Sequence, residues 1–359
     1  MARLFVGVLR ARKMAFDPNT VRRDYGDPEL EAHACRTDCA LFDYTFIGRA
    51  RLNGPGALDA IGELTRRPLA GSPPGRIRYA LREDSNGHVL SDLTVWRHGE
   101  ASYEVMSGRS EDISDLVLTA RPDCDVEDLS ARTSIFALQG PGSLQALAGL
   151  ADVGALSKLG YFTFASIRIC DVECIVGRLG FTGEPGFEIL MPRPAATELW
   201  DLLARRARPA GFAAADILRI EAGFVLFANE FRLPVTAREA CLERFAGLRS
   251  APEEAKIVLV CFRANTREKP VLWQPTARLV RPTGSGMIAV TSACHSLQAG
   301  GTLGLGYILR SDLLAGAPLH DPVGAFADIG LAPLPFFDPQ KRRPRMPWTS
   351  WPRASDAGS

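Results

Sequence analysis

The sequence predicts an α+β fold in which two related halves precede a separate all-β unit, a barrel or jelly roll. Three observations carry this. "NGPGALDAIGELT" at 53 to 65 is echoed by "QGPGSLQALAGLA" at 139 to 151, and each follows a β-like run, "GRARL" and "SIFAL". Strand-like segments follow both copies. From about residue 245 the chain turns to short strands punctuated by Gly and Pro, the pattern of an all-β module.

Each Gly-Pro-Gly opens apolar residues at helical spacing, with proline where a first helical turn tolerates it, so each copy reads as strand, turn, helix. After the first copy, "IRYALRED", an Asn86-Gly87 turn, "VLSDLTVWR" and "SYEVMSG" predict a hairpin and a third strand. After the second, "YFTFASIRIC", "VECIVGRLG" and "GFEILM" predict strands again. "AATELWDLLARRA" is an amphipathic helix, and "AAADILRIEAGFVLF" is apolar nearly all round, which predicts a helix buried between layers. Its Asp216 and Arg219, three apart, are placed to pair. The strands expected beyond 245 are "KIVLVCF", "TARLVR", "GMIAVTSA" and "GTLGLGYIL". The basic, proline-rich "FFDPQKRRPRMPW" reads as a solvated tail unless one of its arginines folds back over a site.

Composition narrows the function classes. The chain has 359 residues, 46% of them hydrophobic, enough for two or three domains. With 42 basic against 41 acidic residues, its charge balance points to neither nucleic acid nor an anionic membrane. "MARLFVGVLRARKMAF" is too short and too broken by arginine for a signal peptide or a span, and no later apolar run reaches about 18 residues; the expected location is the cytoplasm. Eight scattered cysteines suit reduced thiols. His33, Cys35 and Cys39 lack zinc spacing and a second pair, so no metal site is expected. Cys170 and Cys174 are expected to pack as small hydrophobes. No dinucleotide fingerprint, Walker lysine or nucleophile elbow is present.

Two carboxylates sit where strands disfavour them. Asp92 in "VLSDLTVW" shares a face with Leu90, Thr94 and Trp96. Glu188 in "GFEILM" lies between inward-looking Phe187 and Ile189. A carboxylate so placed is either satisfied internally, as by Arg178 for Glu188, or held for a ligand. The turn "GRLGFTGEPGFEIL" lacks the Lys-Ser or Lys-Thr of a phosphate cradle, and its Glu184 is expected to be exposed. A strand carboxylate beside close-approaching glycine backbone suits a flat ligand with adjacent N–H donors, which a pterin edge and an arginine side chain both offer.

Together the segments resemble the folate-binding T-protein family: the glycine cleavage aminomethyltransferase, its demethylase relatives and the folate domains of sarcosine and dimethylglycine dehydrogenases. The resemblance rests on "ALFDYTFIGRARLNGPGAL", "GRIRYAL", "HVLSDLTVWR", "FALQGPGSLQAL", "RLGFTGEPGFEIL", "DILRIEAG" and "GMIAVTSACHSLQAGGTLGLGYI", in family order over nearly the whole chain. It implies a three-domain cloverleaf around a channel that binds tetrahydrofolate. It divides the chain into a folate-binding region of two interleaved α+β subdomains (1–244), a β-barrel domain (245–350) and a disordered tail (351–359). By motif position Asp92 matches the catalytic aspartate, Glu188 the pterin-binding glutamate and Tyr79 a tyrosine lining the site. Glu184, Ser107 and Arg219 complete the cofactor-binding candidates.

The implied activity is tetrahydrofolate-dependent transfer of an aminomethyl or methyl group from an N-, O- or S-methylated small molecule. A lipoyl carrier protein or a flavoprotein is the implied protein partner. The alternatives are a folate-binding accessory protein without turnover, or a trans-acting folate domain serving a flavin dehydrogenase. The accessory branch carries a cysteine in its signature turn, which "GFTGEPG" lacks. Three positions depart from the aminomethyltransferase pattern: Ser91 replaces the first of paired aspartates, Ser107 replaces an asparagine, and Ala215 replaces an arginine expected to meet folate's carboxylate side. "SDLTVWR" and "YEVMSGR" resemble the demethylase and dehydrogenase branches more closely.

Overall fold

The structure, a computed structural model, describes residues 21–119, 121–246, 255–275 and 278–351. Their strands, in chain order, are β1 (Ala40–Asp43), β2 (Gly48–Asn53), β3 (Ile77–Glu83), β4 (Val89–Arg97), β5 (Ser102–Ser107), β6 (Asp125–Asp128), β7 (Thr133–Gln139), β8 (Phe164–Ile169), β9 (Val172–Gly177), β10 (Gly186–Pro192), β11 (Arg208–Ala210), β12 (Ile257–Asn265), β13 (Ala289–Ser296), β14 (Gly301–Leu309) and β15 (Ala327–Ala332). They form three sheets, with helices between and around them, so the α+β class is as expected.

The internal echo has a structural counterpart. One sheet runs β6-β2-β5-β4-β3, and the second runs β11-β1-β7-β10-β9-β8. Matching β2 with β7 brings β3, β4 and β5 onto β8, β9 and β10 in the same spatial order, with β6 and β1 at the corresponding place. β1 thus leaves the N-terminal half to complete the second sheet. The glycines explain why the motif repeats: Gly54 and Gly140 have φ +119° and +123°, and a Cβ on either would lie 2.3 Å from a backbone oxygen, that of Asp123 or Asp38. Only glycine admits this approach. The copies differ beyond the turn, because the first continues as the helix Ala57–Thr65 and the second gives only Ser143–Ala146.

The third sheet runs β13-β14-β12-β15, antiparallel throughout. It is open: among the described residues its edge strands β13 and β15 do not pair, and no closed barrel forms. β13 lies against the helix Phe212–Glu221 instead, tied by side-chain hydrogen bonds in which Ser292 accepts from Arg219 and Ser296 donates to Glu221. Of the strands expected here, "TARLVR" forms none among its described residues, and β15 arises from a segment with no strand signal.

The helix Phe212–Glu221 is buried along its whole length, as its composition predicts. Its charges are satisfied internally. Arg219 Nε donates to Asp216 Oδ1 at 2.8 Å, Nη1 to Glu230 Oε2 at 2.9 Å and Nη2 to Ser292 Oγ at 2.6 Å. Glu221 accepts from Arg36 on the helix Pro28–Thr37 and from Ser296 on β13. A buried ion pair is stable only when its remaining lone pairs and protons also find partners, and this helix meets that condition except at Asp216 Oδ2.

The basic segment after β15 folds back. Arg343 pairs with Glu184 at 2.8 Å, Arg178 donates to the Pro344 carbonyl at 3.4 Å, and Trp348 stacks on Phe187 with ring centres 5.0 Å apart. Residues up to Trp351 are therefore part of the packed molecule, and the tail expected to be disordered lies, from residue 352, outside the described residues. No helix among the described residues is long and apolar enough to cross a membrane.

Candidate functional site

Two connected cavities open where the first two sheets and the C-terminal segment meet. The inner one, about 160 Å³, is walled by aromatic rings, among them Phe46, Phe162, Phe181, Phe212 and Phe227. The outer one, about 820 Å³, is lined by Arg67, Arg76, Arg78, Arg244, Lys341 and Arg345 and includes three acids, Asp92, Glu243 and Asp338. Asp92, Tyr79, Phe162, Gly180, Phe181 and Val225 line both, so Asp92 stands at the junction.

Strand alternation delivers Asp92. On β4, Ser91, Leu93 and Val95 pack into the buried face, which leaves Leu90, Asp92 and Thr94 partly exposed on the other. Tyr79 on the neighbouring β3 donates its hydroxyl to Asp92 Oδ2 at 3.1 Å. Burial raises the Asp92 carboxyl to about 6, against the lowering effect of the Tyr79 hydrogen bond. Burial also pushes the Tyr79 phenol well up, and the Asp92 charge adds to this. The pair is thus an ionisable acceptor held by a neutral donor.

Glu188 lies in the middle of the second sheet, on β10, opposite Ala137 and Gly177. Phe187 and Ile189 pack on the other face, with Leu199 and Leu203. Glu188 is 7% exposed and lines the inner cavity. Its carboxylate has no hydrogen bond or ion pair among the described residues, and desolvation alone raises it to about 7. Arg178 does not approach it; that guanidinium donates to the carbonyls of Leu159, Pro344 and Met346.

The turn before β10 is shaped by one buried amide. Gln139 Nε2 donates to the carbonyls of Leu179 and Phe187 at 3.0 and 3.3 Å, and its Oε1 accepts from Thr182 Oγ1 at 3.0 Å. A Cβ on Gly180 would lie 1.8 Å from Gln139 Oε1, so glycine there lets the turn close on the amide and puts bare backbone on the cavity wall.

Two of the other candidates lie outside the cavities, and the third lines one with its hydroxyl already engaged. Glu184, expected to be exposed, is 1% exposed: it accepts from Arg36 and from Arg343, partners far away in sequence. Arg219 is held within its own buried network. Neither lines a cavity. Ser107 does line the inner cavity, but its hydroxyl donates to Asp112 Oδ2 at 2.6 Å, beside Ser91 at 2.5 Å. Asp112 also takes Arg82 and Arg109, so this carboxylate is fully engaged next to Asp92. Ala215 is buried and faces neither cavity.

The six cations of the outer cavity were not singled out from sequence, because they come from separate segments. None makes an ion pair with a carboxylate within 4.0 Å among the described residues. Arg67 and Arg78 are held by the Tyr79 carbonyl and the Ser72 hydroxyl, while Arg345 and Lys341 lie over the rings of Tyr161 and Phe224. Burial, then Arg244 and Arg345, lower the Lys341 ammonium to about 8. Tyr44 was also missed; it lines the inner cavity from the segment after β1, and a tyrosine among "LFDYTF" reads as one more core aromatic. The thiols of Cys35 and Cys39 are buried and raised by desolvation. Cys174 packs in the core as expected, whereas Cys170 is exposed in a turn at φ +50°.

The arrangement presents an aromatic-walled recess with a carboxylate unpaired among the described residues, an ionisable aspartate where it meets the outer cavity, and a cationic antechamber. Comparison with known proteins gives this context. A model of the GCVT N-terminal domain family matches residues 16–250. The aminomethyltransferase of Saccharopolyspora erythraea is 30% identical over 340 residues, covering 87% of this chain and 90% of that protein. That of Streptomyces coelicolor is 30% identical over 355 residues, covering 88% and 91%. Among solved structures, the glycine cleavage system aminomethyltransferase T from Bartonella henselae matches with a TM-score of 0.71 at 23% identity, over 87% of this chain and 90% of that one.

Proposed function

The chain belongs to the folate-binding glycine cleavage T-protein family, and from that premise we propose that it is a tetrahydrofolate-dependent one-carbon transferase acting on an aminomethyl or methyl donor. The observation that carries the reading is the unpaired, buried carboxylate of Glu188 in the same aromatic-walled cavity as Asp92. Leaving such a carboxylate without a partner costs several kcal/mol, a cost that persists where a ligand offsets it.

The residues present fit a reduced folate. Glu188 would accept from the adjacent N–H donors of the pterin edge in a fork, between rings that match a flat heterocycle. The six outer cations suit the carboxylates at the other end of the molecule, which answers the absence of an arginine at Ala215. When bound, the tetrahydropterin supplies a nucleophilic nitrogen that takes up the one-carbon unit.

Asp92, ionised above a pH of about 6, would accept a proton or stabilise positive charge at the reacting nitrogen. Tyr79 holds Asp92 in place. Enclosure by Phe162 and Phe181 on one side and the C-terminal segment on the other limits water at the junction. We read 1–244 as the folate-binding region and 245–350 as the C-terminal domain, with residues 334–345 lent back to the outer wall. A methylated small molecule and an aminomethyl group on a lipoyl carrier both remain in the donor class, and a partner flavoprotein fits the methylated one.

The test is calorimetric titration of anaerobic tetrahydrofolate into the wild type, Glu188→Gln and Asp92→Asn. The wild type should bind in the micromolar range, Glu188→Gln should lose most of that affinity, and Asp92→Asn should keep it while turnover with the right donor drops by about 10²- to 10⁴-fold. A folded wild type that binds no tetrahydrofolate refutes the reading.

A further inference from the structure

The inner cavity holds a second orphaned polar group beside Glu188. Tyr44 follows β1, its backbone N–H anchored on the Ile135 carbonyl at 2.8 Å and its ring set between Phe42 and Phe46, each 5.8 Å away centre to centre. The residue is 3% exposed, and its hydroxyl has no hydrogen-bond partner among the described residues. The phenol is pushed well up by burial and then by the Glu188 charge, so it stays protonated and the two groups are electrostatic neighbours. Tyr44 and Glu188 both line this cavity, so together they bring to it an O–H that can donate and a carboxylate that can accept.

Each orphan carries its own desolvation cost. A ligand that relieved Glu188 alone would leave that cost in place. The complementary edge has adjacent N–H donors toward Glu188 and, next to them, an acceptor toward Tyr44. A six-membered lactam bearing an amino group presents that order: amino N–H, ring N–H, carbonyl oxygen.

We propose that Tyr44 is a specificity-determining residue whose hydroxyl donates to the carbonyl oxygen of a 2-amino-4-oxo pteridine, so that the site selects the lactam over its 4-amino counterpart. The inference rests on the folate reading of the same cavity. In a 4-amino ring the acceptor is replaced by a donor and the adjacent ring nitrogen carries no proton, so the Tyr44 hydroxyl loses its acceptor and Glu188 one of its two donors; only the Tyr44 share of the preference responds to removal of its oxygen. Rejection follows from an unmet buried polar group rather than from size, the kind of mismatch that discriminates most strongly.

The experiment compares tetrahydrofolate with its 4-amino-4-deoxy counterpart by anaerobic calorimetry on wild type and Tyr44→Phe. The phenylalanine keeps the ring contacts with Phe42 and Phe46 and removes only the oxygen, and a thermal melt confirms that the variant is folded. The wild type should prefer the 4-oxo ligand. Tyr44→Phe should bind that ligand about tenfold more weakly while its affinity for the 4-amino ligand changes less than about twofold. If the variant weakens both ligands alike, or neither, the assignment of Tyr44 is overturned while the folate reading stands. If the wild type binds neither pteridine, the folate reading fails and the inference with it.

Discussion

Asp92 and Glu188 show how far a carboxylate out of place in a strand can be read from sequence, and where that reading stops. Both positions are visible in the sequence because a carboxylate is disfavoured mid-strand. What the sequence leaves open is the partner: Glu184, in the same turn, has two arginines, and Glu188 has none among the described residues. This difference gives a stability prediction. Glu188 titrates near 4.5 when unfolded and at about 7 when folded. Below pH 4.5 both states hold the proton; between 4.5 and 7 only the folded state does, so stability falls as pH rises through that window and the loss persists above it. Glu188→Gln removes that loss. Denaturant midpoints should show the variant more stable than wild type at pH 8, by up to ~3 kcal/mol at 1.36 kcal/mol per unit, and no more stable at pH 4; a difference independent of pH contradicts it. For Asp92, the Tyr79 hydroxyl favours the ionised form. Activity that needs this carboxylate ionised declines as pH falls through about 6, and in Tyr79→Phe the acid limb of the pH–rate profile should move up by roughly half to one unit. An unmoved limb would assign Tyr79 to packing alone.

At the scale of elements, the repeated Gly-Pro-Gly was the most legible feature of the chain. It identified β2 and β7 as equivalent strands because the same close approach of backbone to backbone recurs at Gly54 and Gly140. Alanine at position 140 meets both a left-handed φ of +123° and an oxygen at 2.3 Å. Gly140→Ala should therefore lose about 3 kcal/mol or more, read as a fall in the denaturant midpoint at constant slope; a loss below about 1 kcal/mol would mean that the turn relaxes freely. The buried helix Phe212–Glu221 was equally legible, since an almost wholly apolar pattern admits no solvent face. The third sheet was legible only as strands. Whether four strands close depends on what covers their edges and faces, and here β13 is committed to a helix that lies some 70 residues earlier in the chain. The strand expected in "TARLVR", which its described residues do not form, and the unforeseen β15 have the same origin, since short strands are decided by the neighbours they find.

The whole molecule carries a formal charge of only +1, yet the outer cavity gathers six cations from four separate stretches. Overall balance conceals this, and low-dielectric walls strengthen the local field. The Lys341→Ala, Arg345→Ala double variant should bind tetrahydrofolate about tenfold more weakly at low ionic strength and show a flatter salt dependence, while a tetrahydropterin without the aminobenzoylglutamate portion should bind it as it binds wild type. Calorimetry at two salt concentrations checks this, and an equal loss for both ligands would place the cations outside the anion's path. These two residues reach the cavity because Arg343 is anchored on Glu184 and Trp348 on Phe187. By itself the sequence determined the α+β class, the paired halves, the family and the two exceptional carboxylates, all of which rest on local periodicity, on glycine's conformational freedom or on motifs read in order. Tertiary structure alone decided that Glu184 is a tether, that Glu188 is left in a cavity wall and Tyr44 Oη buried, both without a partner among the described residues, that the third sheet stays open and that the basic C-terminal segment is a cavity wall. Those outcomes turn on which distant group satisfies a buried charge or hydroxyl, and that is settled by proximity in space rather than by spacing along the chain.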